Sequence, residues 1–197
     1  MFLRSYSNKN SRFIWFDIET TGFNIFHGHI IEIAAVDNIG NEFSTLIKCP
    51  RKLPKKIVEI TNITDEMLID QIGIKEALKG FIDFINIDSK KKKYLIGHNI
   101  YNFDIPFVKA QCAKYGLRLP KAEYIDTMRI SQLVLEDQYY HNLNHLCGLF
   151  RIKNTNAHRA LSDVYATQII YQNLVVLFRR KFKSASPNLI INKTRFV

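Results

Sequence analysis

The order of apolar segments along the chain predicts an α/β fold, in which helices flank a central, mixed sheet of five strands. Three strand-like runs come first, and helix-like segments then alternate with two further strand-like runs. This order is typical of layered α/β domains with a mixed sheet. With 197 residues, the chain is long enough for one domain with a substantial core and short for two.

The first three predicted strands are short runs near the N-terminus. Phe13–Asp17 has the continuous apolar character of a buried strand, and a Thr-Thr-Gly turn follows it. Ile30–Val36 and Glu42–Ile47 predict two more strands, and Asn38–Asn41, which contains a glycine, predicts the hairpin turn between them. Because ligands gather at strand ends in such sheets, the end of the first strand is a candidate site.

The rest of the chain predicts mainly helices. Thr64 is placed to cap a short helix with Asp65 and Glu66 in its first turn, where negative charge suits the helix dipole. Lys75–Ile87 has apolar residues at helical spacing and predicts an amphipathic helix. The remaining predicted elements are strands over Tyr94–Gly97 and Glu123–Asp126 and helices over Ile105–Tyr115, Met128–Leu135, Leu143–Phe150 and Leu161–Phe178.

Charge and composition divide the chain into an N-terminal basic segment (1–11), one domain (12–178) and a basic C-terminal tail (179–197). The tail holds six basic residues and no acid. It is a solvated, disordered end, a flexible clamp on the backbone of a polyanion, or a docking segment for a larger complex. The run Lys90–Lys93 predicts a solvated loop, with contact to nucleic acid as the alternative.

The net charge favours a polyanionic partner. The formal charge is +10, with 28 Lys and Arg against 18 Asp and Glu. Such a balance suits nucleic acid best, and an acidic membrane surface is the weaker alternative. No apolar run approaches the roughly 20 residues of a membrane helix, and the N-terminus lacks the pattern of a signal peptide.

The three cysteines indicate a reducing compartment. Cys49, Cys112 and Cys147 are odd in number and widely separated, so they fit neither a disulfide framework nor a zinc-binding pair. Reduced thiols in or near the core predict a cytoplasmic protein.

Four acidic residues and one histidine form the candidate site. Asp17 and Glu19 are two apart on a predicted strand, so both carboxylates point to the same face and reach one ion. Asp104 and Asp163 lie in other apolar segments, where a buried carboxylate is costly unless it is paired or binds a cation. Converging carboxylates repel one another, and divalent cations with oxygen ligands relieve that repulsion. Two such ions are typical of enzymes that cleave phosphodiesters.

Two of these residues also have structural interpretations. Asp104 precedes an Ile-Pro pair and is placed to cap a helix, a role compatible with binding an ion. His158 lies at the mouth of a predicted helix that carries Asp163 about one turn in. A histidine there is either structural or a base that deprotonates a water molecule, and the neighbouring acids favour the base.

Three ordered motifs carry a resemblance to a known family. They are DIETTG from Asp17, HNIYNFD from His98 and HRALSD from His158. In this order they resemble the DnaQ-like DEDDh family of 3′–5′ exonucleases, typified by bacterial proofreading exonucleases. The resemblance extends over residues 12–177 and identifies 12–178 as the exonuclease domain.

The resemblance implies a ribonuclease H-like fold and hydrolysis with two ions, Mg²⁺ or Mn²⁺. Asp17, Glu19 and Asp163 would hold the ion that activates water. Asp17 and the scissile phosphate would hold the second ion, and Asp104 would act mostly through the waters of that ion. His158 would be the general base.

The resemblance also implies substrate contacts. Thr20, Thr21 and Gly22 would meet the terminal 3′ nucleotide, and His98 with Asn99 would support the site. A further group, which could stack on bases or simply pack in the core, comprises Phe23, Ile63 and Phe103. Asp126 is also acidic, but the family pattern treats it as non-catalytic.

These observations predict a metal-dependent 3′–5′ exonuclease that removes mononucleotides from single-stranded nucleic acid, with DNA favoured. An exoribonuclease is the alternative substrate assignment, since nothing in the sequence visibly recognises a 2′-hydroxyl. A non-catalytic nucleic-acid-binding module on the same fold is a second alternative, which the intact acids and His158 oppose. A phosphatase or transferase using the same ions is a third, which the basic surface disfavours. The expected partner is a strand with a free 3′ end.

Overall fold

A mixed five-stranded sheet forms the centre of the protein in the computed structural model, which describes residues 10–195. Its strands are β1 (Ser11–Thr20), β2 (Ile30–Asp37), β3 (Glu42–Leu46), β4 (Lys92–Gly97) and β5 (Glu123–Asp126). They lie in the order β3-β2-β1-β4-β5. The first three pair antiparallel, whereas β4 runs parallel to β1 and to β5. The predicted mixed sheet of five strands is therefore confirmed.

Helices cover both faces of this sheet. They are α1 (Lys55–Thr61), α2 (Asp65–Leu68), α3 (Ile74–Asn86), α4 (Asp104–Lys114), α5 (Thr127–Val134), α6 (Leu143–Phe150), α7 (Ala160–Phe182) and α8 (Pro187–Thr194). Apolar side chains of α3 and α4 pack on one face, and those of α5 to α8 pack on the other.

Strand β1 is buried between the two layers. Successive residues of a strand point to opposite faces, so Phe13 and Trp15 join the core under α5 to α8, whereas Ile14 and Phe16 join the core under α3 and α4. The same alternation places Asp17 on the face that α7 covers. The carboxyl ends of β1 and β4 lie at one edge of the sheet because the two strands are parallel, and the predicted acids gather at this edge.

Helix α1 and the start of strand β4 differ from the sequence-based expectation. Helix α1 begins directly after Pro54 and was not predicted, and its N-cap residue makes no side-chain hydrogen bond to the helix. Strand β4 begins inside the lysine run that was predicted to be a loop. Lys93 belongs to this strand and is buried, with its Nζ 3.4 Å from the carbonyl oxygen of Ser89.

The described part of the basic tail is folded, in contrast to the loose end that was one expectation. Helix α7 continues past residue 178 to Phe182, and α8 follows after a short turn. Ser186 caps α8 by accepting a hydrogen bond from the backbone of Leu189, and Ile190 is fully buried in the core beneath α7. Burial of this apolar side chain explains why the segment packs rather than extends into solvent.

Most of the N-terminal basic segment, residues 1–9, lies outside the described residues. Within residues 10–195, no helix combines the length and the apolar character needed to cross a membrane.

Candidate active site

The end of strand β1 contributes the first two acids. Asp17 and Glu19 continue the alternation of Phe13 and Trp15, so both carboxylates point toward the N-terminal end of α7. Glu19 pairs in register with Glu32 of β2, just before an irregularity in the pairing. A third carboxylate therefore stands beside the pair that the sequence predicted.

The start of α7 contributes His158 and Asp163. One carboxylate oxygen of Asp163 accepts a hydrogen bond from the backbone N–H of His158 at 3.0 Å, and the other accepts one from the Asn154 side chain at 2.5 Å. His158 has a left-handed backbone conformation, with φ of 64°, and its side chain is exposed. The carboxylate is thus fixed in place, while the imidazole stands at the mouth of the site.

Side chains from these two elements come within ligand distance of a single ion. Glu19, His158 and Asp163 each offer one ligand atom, and these three atoms lie within 4.8 Å of one another. The sequence had assigned Glu19 and Asp163 to one ion and His158 to proton transfer. The geometry brings the three groups together.

Asp104 lies at the start of α4 and is almost completely buried. It is the first residue of the helix, and Phe103 occupies the N-cap position, so the predicted cap role is wrong for Asp104. Its Oδ1 is buried without a hydrogen-bond partner among the described residues. An orphaned carboxylate oxygen of this kind is costly by itself and suits a bound cation or its waters.

The pKa values of the acids are raised in the absence of a cation. Burial is the largest cause for Asp17, whose pKa is raised further by the charges of Asp104, Glu19, Asp163 and Glu32. Burial and the neighbouring acids raise the pKa of Glu19 to about 8, and burial raises that of Asp104 to about 8. Burial also raises the pKa of Asp163, although its hydrogen bonds oppose the change. The carboxylate oxygens are therefore crowded and anionic, which fits hard divalent cations.

These raised pKa values predict a pH-dependent stability in the absence of metal. A carboxyl group whose pKa is higher in the folded state stabilises the protein below its unfolded pKa of about 4, and this contribution is lost as the pH rises through its folded pKa. In EDTA the melting temperature should therefore decrease as the pH rises from 5 to 9, by about 2–4 °C for each kcal/mol of unfolding free energy that is lost. Mg²⁺ should raise the melting temperature more at pH 8.5 than at pH 6.

Differential scanning calorimetry across this pH range, with and without Mg²⁺, measures the effect. An Asp17→Asn variant serves as the matched control, because it should flatten the fall in EDTA. A melting temperature that rises from pH 5 to pH 9 in EDTA would contradict the raised pKa values.

The acids line a cavity of about 850 Å³, which also includes most of the predicted substrate contacts. The predicted residues that line it are Thr20, Thr21, Gly22, Phe23, His98, Asn99 and Phe103, together with Asp17, Glu19, Asp104, His158 and Asp163. The opposite wall is formed by α1 and the residue before it, through Pro54, Lys56, Ile57, Ile60 and Thr61. This wall was not expected from the sequence, because α1 itself was not predicted.

Two phenylalanines form an aromatic edge of this cavity. Phe23 is 89% exposed, and its ring packs edge-on against Phe103 with centroids 5.8 Å apart. Phe103 in turn contacts the buried Phe107. An exposed ring held from beneath by other aromatic rings is suited to stacking on a base.

Ile63 differs from these two residues. It is fully buried and packs with Ile31, Leu53 and Leu68 in a small separate core. A base cannot reach it, so the expectation of a substrate contact is wrong for this residue, and core packing is its role.

The turn after β1 is fixed by its own hydrogen bonds. The hydroxyl of Thr20 donates to the carbonyl oxygen of Gly22 at 2.9 Å. Thr21 accepts from the backbone N–H of His29 through its hydroxyl at 3.0 Å, and its own N–H donates to the His29 carbonyl at 2.9 Å. The turn therefore presents a rigid backbone to the cavity.

His98 presents an unpartnered nitrogen in the same region. Its Nδ1 lies 2.9 Å from the hydroxyl of Thr127, which itself donates to the carbonyl oxygen of Gly97. Nε2 is buried and has no hydrogen-bond partner among the described residues. Burial lowers the pKa of His98 to about 4, and the nearby backbone of His141 opposes part of this shift, so the ring is neutral near pH 7.

Asp126 has a structural role beside the site. Its carboxylate accepts hydrogen bonds from the backbone N–H groups of Asn99, Tyr101 and Met128. It caps α5 and holds the turn that leads from β4 to Asp104. These bonds account for a buried acid that the family pattern leaves out of catalysis.

An ion pair that was not predicted holds the start of α7 against the sheet. Glu32 of β2 accepts from the Arg159 guanidinium at 2.9 to 3.3 Å and from the backbone N–H of Ala160 at 2.9 Å. Glu32 is 3% exposed, so these bonds satisfy a buried carboxylate. Because Arg159 directly follows His158, the pair fixes the backbone that carries the candidate base.

Comparison with known proteins identifies the family. The RNase T family model, described as an exonuclease, matches residues 14–171. The chain therefore belongs to the RNase T exonuclease family. The predicted membership of the DnaQ-like exonucleases and the predicted enzyme class, a nuclease that hydrolyses phosphodiesters, are confirmed.

Curated relatives include large DNA polymerases. The chain is 35% identical over 162 residues to a DNA polymerase III of the PolC type from Halalkalibacterium halodurans, covering 80% of this chain and 11% of that protein. It is 35% identical over 161 residues to the PolC-type enzyme of Bacillus subtilis, covering 79% and 11%. The chain thus spans about a tenth of the length of these relatives.

Solved structures share the fold. Exonuclease I of E. coli in complex with a dT13 oligonucleotide matches with a TM-score of 0.77 and 18% identity, over 88% of this chain and 43% of that chain. Exonuclease X in complex with 5′ overhanging duplex DNA matches with a TM-score of 0.68 and 21% identity, over 92% and 99%. The predicted ribonuclease H-like fold is confirmed.

Proposed function

We propose that this protein is a 3′–5′ exonuclease that removes mononucleotides from the 3′ end of single-stranded DNA. The observation that carries the proposal is the group of buried carboxylates, with an orphaned Asp104 oxygen, on the wall of an 850 Å³ cavity. Membership of an exonuclease family supplies the reaction class.

The four predicted acids would hold two divalent cations, Mg²⁺ or Mn²⁺. Asp17, Glu19 and Asp163 are the proposed ligands of one ion, and Asp17 is the proposed ligand of the other, with Asp104 next to it. Such ions supply an activated water and neutralise charge on the phosphate. With both ions bound, the wall formed by the four acids would hold a phosphodiester; without cations the same wall would repel an anion.

His158 would accept the proton of the attacking water. Its left-handed backbone conformation and the bond from its N–H to Asp163 fix its position at the rim. Because the side chain is exposed, an accepted proton can pass on to bulk water. Glu32 and Arg159 would act only as positioning residues for this histidine.

The 3′ end would be recognised by shape and stacking. The rigid Thr20–Gly22 backbone would meet the terminal sugar and phosphate, and Phe23 with Phe103 would stack on the terminal base. Stacking tolerates any base, so no sequence preference is expected. Unpaired nucleotides enter such a cavity without the cost of melting a duplex.

DNA is favoured over RNA by the relatives. The curated relatives are DNA polymerases, and the solved structures described above hold DNA oligonucleotides. Digestion of matched 5′-labelled DNA and RNA 20-mers should give single-nucleotide ladders that require Mg²⁺ or Mn²⁺, with DNA cut faster. A circular single strand should stay intact. Faster digestion of RNA would assign an exoribonuclease, and cleavage of the circle or activity in EDTA would contradict an exonuclease of this mechanism.

The cysteines and the domain bounds support proposals for the cellular location and the organisation of the chain. The three cysteines are free thiols, which supports a cytoplasmic location. We place the catalytic domain at residues 12–178, with an N-terminal segment before it. Residues 179–197 would be an extension that stabilises this domain through α8 or docks a protein partner.

A further inference from the structure

Five exposed cations follow one another between β3 and the first turn of α1. We call them the basic ridge; its members are Lys48, Arg51, Lys52, Lys55 and Lys56. Among the described residues, none of the five has a carboxylate within ion-pair distance. Cations elsewhere on the surface are neutralised in part, for example Lys181 by Glu136 at 2.8 Å.

Three acidic residues lie close to the ridge, and two of them make hydrogen bonds to other groups. Asp65 accepts a hydrogen bond from the backbone N–H of Leu53 at 2.8 Å. Glu66 of α2 is held chiefly by Thr64 and lies near Lys52. Glu59 is the acid within α1. The ridge therefore keeps a net positive charge that faces solvent.

One end of the ridge lies at the rim of the active-site cavity. Lys56 lines the cavity together with Ile57 and Ile60 of the same helix. Arg51 is close to His29, whose pKa is lowered first by burial and then by the charges of Arg51 and Lys114. His29 in turn holds the Thr21 turn of the cavity. The other end of the ridge, at Lys48, Arg51 and Lys52, borders a separate pocket that Asp65 and Glu66 also line.

A packed core holds the ridge in place. Leu53 lies in the same segment as the ridge residues. It is buried in a cluster with Ile31 of β2 and with Ile63 and Leu68, which follow α1. Strand β2 pairs directly with β1, which carries Asp17. Leu53 therefore anchors the segment that carries Arg51 and Lys52 to the same sheet that carries Asp17.

We propose that the basic ridge binds the phosphates of the nucleotides that precede the 3′ terminus and guides the strand into the cavity. The inference rests on the proposed function, because it assigns the path of that substrate. The acidic wall of the cavity repels an approaching polyanion, so attraction must come from charges beside it. Flexible lysines and arginines that contact phosphates bind without regard to sequence.

A second basic surface provides a matched control. Lys90, Arg118 and Lys121 are exposed and line a separate cavity of about 670 Å³. They lie near the start of β1, because Lys92 pairs with Ser11. Asp17 is roughly 20 Å along the strand from that point, at about 3.3 Å per residue. These three residues carry the same charges as Arg51, Lys52 and Lys56 of the ridge but lie at the opposite end of the sheet.

The test compares two triple variants, Arg51→Ala/Lys52→Ala/Lys56→Ala and Lys90→Ala/Arg118→Ala/Lys121→Ala. Binding of a single-stranded DNA 20-mer is measured by fluorescence anisotropy at several salt concentrations, in an Asp17→Asn background that leaves the strand intact. The ridge triple should raise Kd by about tenfold or more and lower the slope of log K against log salt by about 2, since each phosphate contact contributes about 0.7 for single strands. The control triple should change neither quantity.

Equal loss in the two triples, or an unchanged Kd and slope in the ridge triple, would overturn the proposal. Single Arg51→Gln and Lys52→Gln variants, each expected to lower the slope by about 0.7, cover the case in which the triple fails to fold. Failure of the proposed function can be told apart from failure of the ridge proposal. The first would show as absent cleavage by the unaltered protein, whereas the salt slope is measured without cleavage.

Discussion

Replacing Asp17 by asparagine is expected to reduce DNA cleavage by at least about 10³-fold, since it removes a ligand shared by both proposed ions and with it the charge stabilisation they supply. The fold should persist. Asp17 is crowded by three acids and Glu32, so the neutral amide removes repulsion rather than a stabilising contact. In EDTA the variant should melt at the same temperature as the unaltered protein or higher.

Single-turnover cleavage of a 5′-labelled strand measures the loss of rate, and thermal melting in EDTA measures the stability of the variant. Asp83→Asn, at an exposed position of α3, is the matched control and should cleave normally. Cleavage by Asp17→Asn within tenfold of normal would remove Asp17 from the proposed metal site, and a lower melting temperature would show that the acid stabilises the fold.

Replacing His158 by glutamine should reduce the rate by roughly 10²–10⁴-fold, the usual contribution of a general base. Metal binding should be retained, because the four acids supply the proposed ligands. The acidic limb of the pH–rate profile reports the essential base, so this limb should disappear in the variant.

Calorimetric titration with Mn²⁺ measures the metal affinity and distinguishes a general-base role of His158 from a ligand role. His158 lies within ligand distance of Glu19 and Asp163, so a ligand role predicts weaker binding in the variant. Normal Mn²⁺ affinity with an altered pH profile supports the base. An unchanged acidic limb would mean that another group takes the proton.

The four acids could be proposed from sequence because each lies in a short motif with its own local structure. Asp17 and Glu19 needed only the alternation of a strand, and Asp163 needed only its place in the first turn of a helix that follows His158. The central strands were predictable for the same reason, since their apolar runs are continuous. These signals are contained within about ten residues.

The parts that sequence missed depend on distant contacts. Glu32 is one acid in an apolar β-strand, and its partner Arg159 is 127 residues away. Nothing near Glu32 indicates that it is buried and paired. Ile63 shows the same limit, because a lone isoleucine before a short helix is compatible with either a surface contact or a small core.

Short helices were missed for different reasons. Helix α1 has seven residues and no side-chain cap, so it depends on the core formed by Leu53 and Ile63 rather than on local signals. The basic ridge could not be found without it. Helix α8 did carry a signal, since Ser186 and Pro187 are typical of a helix start. The basic composition of the tail outweighed that signal.

The central claim is that four carboxylates hold two divalent cations at the active-site cavity. Anomalous diffraction from crystals grown with Mn²⁺ and a nucleoside 5′-monophosphate, the proposed product, tests it most directly. We predict two manganese peaks about 3.5–4 Å apart, the usual spacing of two-metal sites, with Asp17 bound to both. No peak beside Asp17, or manganese bound only away from the four acids, would contradict the account.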